Sequence, residues 1–328
     1  MKNVVIGIVI VIVLGIGSAL TYLFTAYPDV GAAPDISVEG TEQQIKRGKY
    51  LANHVSVCMD CHSTRNFDKF SGPIVPGTFG KGGDAFTEDI GLPGTFYSKN
   101  ITPHNLGNWS DGEIYRAITE GVTKEGNALF PIMPYPGYSR MDPDDVKAII
   151  AYLRTLEPID YQPPESQANF PVSILLRTDP QPADPMERPN PKNTIKYGKY
   201  MITIAGCTDC HTPQNQGTDI KGMYLAGGFE YKMPFGTVRS ANITPDNETG
   251  IGRWSQEMFV KEFKQYDIPT DSLQNVKKGD MNTLMPWQMY AGMSEQDLKA
   301  IYNYLRTVDA VTHKVDMFTP PSEEKSTD

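Results

Sequence analysis

From Val4 to Phe24 the chain carries no charge and is dominated by valine, isoleucine, leucine and glycine. A run of about 21 residues makes about 31 Å of helix, enough to cross a bilayer core. Beyond it the pattern changes to polar stretches carrying narrow apolar stripes. Thr41 with Gln44 forms a capping box, and Ile45, Gly48, Leu51 and Val55 share one face of the helix it starts. Ser110 with Glu113 predicts a second helix, with Ile114, Ala117 and Ile118 inward and Gly121 as its stop. Asp142 before Pro143 starts a third, facing Val146, Ile149, Ile150, Leu153 and Leu156 inward and ended by Pro158. Asn193, Ser255 and the Ser294/Asp297 pair start three more. No stretch alternates with period two, so the chain reads as all-α.

The helices belong to a repeat. "RGKYLANHVSVCMDCHS" from Arg47 answers to "YGKYMITIAGCTDCHT" from Tyr197, and "KNITPHNLGNWS" from Lys99 to "ANITPDNETGIGRWS" from Ala241. "LFPIMPYPGYSRM" from Leu129 answers to "MNTLMPWQMYAGM" from Met281, and "VKAIIAYLRTLEP" from Val146 to "LKAIYNYLRTVDA" from Leu298. The order is the same both times, so one domain occurs twice. The expected division is an anchor at 1–26, a stalk at 27–42, a first domain at 43–160, a proline-rich linker at 161–192, a second domain at 193–312 and a polar, frayed tail at 313–328. The linker holds eight prolines and reads as an irregular, semi-rigid strap. Gly48 and Gly198, each in the first helix of its copy, predict close approach of another helix, with Tyr152 or Tyr304 packed nearby.

Charge narrows the partners. The net −9 of the chain divides into −2 over residues 43–160, −1 over 193–312 and −4 over the stalk. No basic stripe exists to neutralise phosphates, which excludes nucleic acid. Lys2 ahead of the apolar run keeps the N-terminus on the cytoplasmic side and places everything after Tyr27 across the membrane. A cleaved signal peptide is the alternative, but the run is long for one and no cleavage site follows it promptly.

All four cysteines lie in two Cys-x-x-Cys-His units, Cys58, Cys61, His62 and Cys207, Cys210, His211. Structural zinc needs four ligands, usually from knuckles close in sequence, and here about 145 residues separate the pairs. A thioredoxin-like motif needs a βαβ setting and leaves the histidine without a role. Covalent haem c attachment uses all three residues, two thiols as thioethers and the histidine beneath the iron. Two such units imply two haems.

The order Gly-Lys-Tyr, Cys-x-x-Cys-His, Asn-Ile-Thr-Pro, Gly-x-x-Trp-Ser, Met-Pro, Ala-x-x-x-Tyr-Leu-Arg resembles class I c-type cytochromes. More narrowly, it resembles the cytochrome c subunits of bacterial membrane-bound alcohol, aldehyde and gluconate dehydrogenases, over about residues 43–312. Those subunits typically hold three haem domains, and this chain has two. The resemblance implies two tandem class I cytochrome c domains, each with histidine and methionine on the two faces of its iron. Met133, 71 residues after His62, and Met285, 74 after His211, are the expected sixth ligands; both precede a proline just ahead of the last helix. Met141 and Met293 recur too but read as hydrophobic staples, and Met233-Pro has no methionine counterpart in the first copy. His104 is the alternative ligand for a bis-histidine iron, although Asp246 replaces it in the second copy. His54 reads as solvent-facing. Trp109, Trp254, Asn100 and Asn242 are candidates to hold haem propionates, or else ordinary core residues.

Six-coordinate irons leave no position for a substrate. The chain is therefore expected to be a non-catalytic, single-pass electron relay in the bacterial inner membrane, with its haem domains on the periplasmic side. It would pass electrons from a dehydrogenase or quinol-oxidising complex to a terminal oxidase or soluble cytochrome. The alternatives are a dihaem cytochrome c peroxidase and the cytochrome c subunit of a haem-copper oxidase.

Overall fold

Each predicted helix start is a working cap. Thr41 and Ser110 both close complete capping boxes, Gly121 ends its helix at φ 68°, and the side chains of Asp142, Asn193, Ser255 and Ser294 each accept a first-turn N–H. The computed structural model describes residues 1–215 and 217–321. Helix α1 (Lys2–Ala26) leads, with none of its residues buried. The first copy contains α2 (Glu42–Tyr50), α3 (Cys58–Cys61), α4 (Pro103–Leu106), α5 (Asp111–Glu120), α6 (Tyr135–Tyr138) and α7 (Pro143–Leu153). The strap adds α8 (Val172–Leu175). The second copy contains α9 (Thr194–Ile204), α10 (Cys207–His211), α11 (Gln256–Lys264), α12 (Trp287–Ala291) and α13 (Glu295–Leu305).

The first and last helices of each copy cross at a glycine. A Cβ on Gly48 would lie 1.8 Å from the Ala148 carbonyl oxygen, and one on Gly198 would lie 1.9 Å from that of Ala300. No side chain fits there. Around the crossings the aliphatic face of α7 is buried as the periodicity requires, and Met141 and Met293 are buried with it.

The all-α expectation needs correction. Short antiparallel strands β1 (Ala85–Phe86), β2 (Gly94–Tyr97) and β3 (Gln167–Ala168) form one sheet. A hairpin of β4 (Gln214–Asn215) and β5 (Thr218–Asp219) and a sheet of β6 (Glu230–Met233), β7 (Gly236–Arg239) and β8 (Phe318–Thr319) follow in the second copy. Strands of two to four residues are too short to print an alternating pattern. β8 also shows that the tail is not frayed throughout: Thr319 and Phe318 pair with Thr237 and Val238, while 322–328 lie outside the described residues. Nor is the stalk a free tether. The Val38 N–H donates to Asp111 at 2.8 Å, and Gly112 leaves room for the Pro34 carbonyl, which would lie 1.7 Å from a Cβ there. The strap lies on the first copy through β3, Tyr135–Asp179 and the Ala183 N–H donating to Glu120.

The first copy has one extra residue between its Gly-Lys-Tyr and its first cysteine. It is absorbed as a π-helical turn, Leu51–Val55, closed by the Ser56 N–H donating to the Leu51 carbonyl at 2.8 Å. Both copies then pass through a left-handed residue, Gly206 at φ 66° in one and Val57 at φ 41° in the other, where a β-branched residue is strained.

The copies meet through reciprocal tyrosine–aspartate bonds. Tyr200 of the second donates to Asp145 of the first at 2.7 Å, and Tyr50 of the first donates to Asp297 of the second. Each phenol also accepts an N–H at the start of the partner's last helix, from Asp142 at 3.2 Å and from Ser294 at 3.0 Å. Asp145 is fully buried and further held by Arg47 in a two-point pair at 2.8 and 2.9 Å and by Arg188 at 2.5 Å. Burial alone would push this carboxyl up, but Arg47, with Tyr200 and Arg188, outweighs it and holds it below its ordinary value.

Two outcomes follow from this packing. Gly48→Ala or Gly198→Ala forces helix backbones apart and lowers stability by about 3 kcal/mol, read from thermal unfolding of the holoprotein. Because the folded pKa of Asp145 is depressed, its contribution is complete above its unfolded pKa, about 4, and is lost as pH falls through the lower folded value. Asp145→Asn should therefore be less stable at neutral pH and show a shallower loss of stability below about pH 4 in urea titrations.

Candidate haem sites

Each Cys-x-x-Cys pair occupies one helical turn, α3 or the start of α10, with its histidine at the end of that turn. The four thiols are unpaired. Burial pushes Cys58 and Cys207 up to about 12, the reverse of the lowered thiol of a redox Cys-x-x-Cys pair. Among the described residues no group of three His, Cys, Asp or Glu side chains gathers to hold a zinc ion.

The imidazoles are held alike. His62 Nδ1 lies 2.6 Å from the Lys99 carbonyl oxygen, and His211 Nδ1 lies 2.7 Å from that of Ala241. A carbonyl only accepts, so Nδ1 carries the proton and Nε2 is left free to bind iron, the usual arrangement of a ligating histidine. Burial lowers the pKa of both rings and keeps them neutral, as ligation requires. Unpaired thiols on one turn beside such an imidazole fit a covalent haem c.

The Asn-Ile-Thr-Pro motif makes that carbonyl available. Asn100 donates to the carbonyls of Ile159 and Tyr161 at 2.9 Å and accepts from the Thr102 N–H and hydroxyl at 2.9 and 2.7 Å. Asn242 repeats this with Val311 at 2.8 Å and Thr244 at 2.9 and 2.7 Å. These amides are fully used in clamping the loop, which corrects the expectation that they reach a propionate. Trp109 and Trp254 pack against the core.

Sequence reasoning missed Gly82 and Gly227. Their N–H groups donate to the His62 and His211 carbonyls at 2.8 and 2.7 Å, and they lie against the Lys99 and Ala241 backbone, which a Cβ would meet within 2.5 Å. At φ 71° and 72° both need glycine. The signal was present as Gly82-Gly83 and Gly227-Gly228, one Gly-Gly in each copy. Ser63 and Thr212, directly after the histidines, add matching hydroxyl acceptors for the N–H groups of Gly80 and Leu225.

Met133 and Met285 occupy equivalent tight turns. The Tyr135 N–H donates to the Met133 carbonyl at 2.7 Å and the Trp287 N–H to the Met285 carbonyl at 2.8 Å, across prolines at φ −77°, ψ 49° and φ −80°, ψ 68°. This is the inverse γ-turn, for which proline is preset. Just beyond, the Tyr138 hydroxyl donates to the Ser56 carbonyl at 2.8 Å and that of Tyr290 to the Ala205 carbonyl at 2.7 Å. Each methionine turn is thereby stapled to the residue two before its first cysteine. His104 instead sits 3.4 Å from the exposed Asp160. His54 faces the second copy rather than solvent, with Nδ1 2.9 Å from the Met289 carbonyl.

Residues 195–309 match the family model described as Cytochrome c. The chain carries a cytochrome c domain. It is 27% identical over 289 residues to the cytochrome c subunit of a quinone-dependent alcohol dehydrogenase of Gluconobacter oxydans, covering 83% of this chain and 56% of that protein. It is 30% identical over 308 residues to the fructose dehydrogenase cytochrome subunit of Gluconobacter japonicus, covering 88% and 58%. A dihaem cytochrome c-type protein of Cereibacter sphaeroides is 26% identical over 276 residues, covering 77% and 82%. The chain thus spans little more than half the length of the two dehydrogenase subunits.

Within the cytochrome c domain, Gly227→Ala should displace the Ala241 carbonyl and leave His211 Nδ1 without its acceptor. Covalently bound haem at Cys207 and Cys210, counted by mass spectrometry of the haem peptide, should fall roughly tenfold, as for other losses of a partner behind a metal ligand. Gly217→Ala, at φ 77° but with nothing within 4 Å of a Cβ, is the control for left-handed backbone strain without the clash.

Proposed function

We propose that the chain is a membrane-anchored dihaem cytochrome c that relays electrons for a membrane-bound dehydrogenase. What carries this reading is that the entire arrangement is present twice. Both copies hold a Cys-x-x-Cys-His turn, an imidazole bonded through Nδ1 to a backbone carbonyl, and a methionine-proline γ-turn stapled to the cysteine segment. The copies are tandem cytochrome c domains at 43–160 and 193–312, with Cys58, Cys61, His62 and Met133 holding one haem and Cys207, Cys210, His211 and Met285 the other. Haem bound in this way supplies reversible one-electron chemistry. The protein's part would be to leave no iron position open to a substrate, through His62 with Met133 and His211 with Met285, and to hold the two groups at fixed separation. A peroxidase needs unlike iron sites, which two equivalent methionine turns do not favour.

The donor is read from the names of the relatives as a membrane-bound dehydrogenase, and the acceptor as a soluble cytochrome or terminal oxidase. Helix α1 is long and apolar enough to cross a membrane, and no part of it is buried. It is read as a retained single-pass anchor in the bacterial inner membrane, with both haem domains on the periplasmic side.

The second methionine turn is braced by the first copy. Ser71 Oγ donates to the Met285 carbonyl at 2.6 Å, and Arg65 donates to the Leu284 carbonyl at 3.3 Å. Met133→Ala should open the first iron to carbon monoxide and leave the second closed, whereas Ser71→Ala should raise carbon monoxide binding at the second iron alone. An unchanged carbon monoxide spectrum in Met133→Ala would refute methionine ligation. For the relay itself, protein purified from native membranes in mild detergent should carry two haems and a dehydrogenase, and that enzyme's substrate should reduce both haems. Purification without a dehydrogenase, or haems that its substrate leaves oxidised, would refute the donor.

A further inference from the structure

Residues 170–176 read Phe-Pro-Val-Ser-Ile-Leu-Leu, seven residues without a charge, followed by Arg177. The segment stands at the surface of the strap. Phe170 is 80% exposed, more than any other large apolar side chain beyond α1 among the described residues, and Leu175 is 52% exposed. Val172, Ile174 and Leu176 are half-buried beneath them. Scattered exposed apolar residues are ordinary, but a charge-free run ending in an arginine is not scattered.

Its position says what covers it. Arg177 donates to the Tyr27 carbonyl at 2.7 Å, and its guanidinium carbon lies 5.2 Å from the Phe24 ring centroid. The segment therefore abuts the outer end of α1. There Tyr22 and Tyr27 pack edge to face, with ring centroids 6.1 Å apart. Tyrosines at the end of a spanning helix mark the level of the lipid headgroups. An arginine at that level keeps its charge among polar groups while apolar neighbours reach inward. Phe170 and Leu175 lie within seven residues of Arg177, which ties their segment to that end of the helix.

We propose that Phe170–Leu175 inserts into the outer leaflet beside the anchor, as a second, monotopic lipid contact. The proposal rests on the reading of α1 as a retained anchor. One attachment point lets a domain swivel; two, joined by Arg177 and by the docked stalk, hold the first haem domain in one orientation to the membrane. The occupant is lipid because Arg177 ties the patch to the end of α1 where Tyr22 and Tyr27 mark the headgroup level.

The test uses the full-length holoprotein in phosphatidylcholine vesicles doped with a diazirine phospholipid. After photolysis, adducts are mapped by mass spectrometry. Adducts are expected within 4–24 and within 170–176, and not on Ile195 or Met258, which are 47% and 53% exposed elsewhere on the surface. Phe170→Ser with Leu175→Ser should lower adducts in 170–176 by roughly tenfold or more without altering those in 4–24 or the haem content. Adducts in 4–24 with none in 170–176 overturn the proposal. So does labelling of native membranes in which 170–176 cross-links to a protein instead of lipid. Absence of adducts from both segments overturns the anchor reading, and this inference with it.

Discussion

The contact on which each copy depends is the crossing of its first and last helices, where the Ala148 carbonyl rests on Gly48 and the Ala300 carbonyl on Gly198. Backbone-to-backbone approach fixes the crossing more tightly than interdigitated side chains would, since no rotamer change can relieve a misfit. Everything at the candidate haem sites hangs from it. The first helix runs into the cysteine turn, and the last helix begins just after the methionine turn. Setting one helix on the other therefore sets the histidine relative to the methionine loop, although more than 70 residues separate them. Tyr138 and Tyr290 complete the link by tying the two ends together.

The same helices make the interface between copies. Tyr200–Asp145 and Tyr50–Asp297 occupy equivalent positions and swap partners, so the copies are related by an approximate two-fold operation. Each bond joins a phenol to a carboxylate and contributes about 1.5–3 kcal/mol. The two halves of the operation are not chemically equal. Arg47 neutralises Asp145, whereas its counterpart Tyr197 stands beside Asp297. One buried core runs through both copies, and Arg65 and Ser71 of the first reach the methionine loop of the second. The copies are thus parts of one folded body, and the simple expectation of two domains on a strap understates their dependence.

Much of this was legible because the repeat prints every motif twice. Caps, helix faces, the glycine crossings and both Cys-x-x-Cys-His turns follow from residue type and spacing. The π-turn was latent in the one-residue difference between "YLANHVSVC" and "YMITIAGC", but a length difference does not say where the extra residue goes. The strands were illegible because strands so short carry no period. Gly82 and Gly227 were missed because their reason is three-dimensional: each fills the gap between a histidine carbonyl and a loop that approaches it from elsewhere. The Tyr50–Asp297 exchange was beyond sequence for the same reason, since each partner has equally good local roles in its own helix.

Asparagines 100 and 242 show how function is distributed in such a site. A haem pocket invites the reading that every recurring polar residue touches the cofactor. Here the amides are spent on backbone, and the backbone they shape holds the imidazole. The position of each imidazole is thereby set from behind, by groups that need not touch the cofactor. The proposed electron relay would benefit from that arrangement, because a rigid ligand set changes little between oxidation states. The docked stalk extends the principle outward: Pro34 against Gly112 and Val38 on Asp111 remove the slack between the first copy and α1. Direct contacts then run from the end of the apolar helix, through the first copy and across the tyrosine–aspartate pairs, into the second copy.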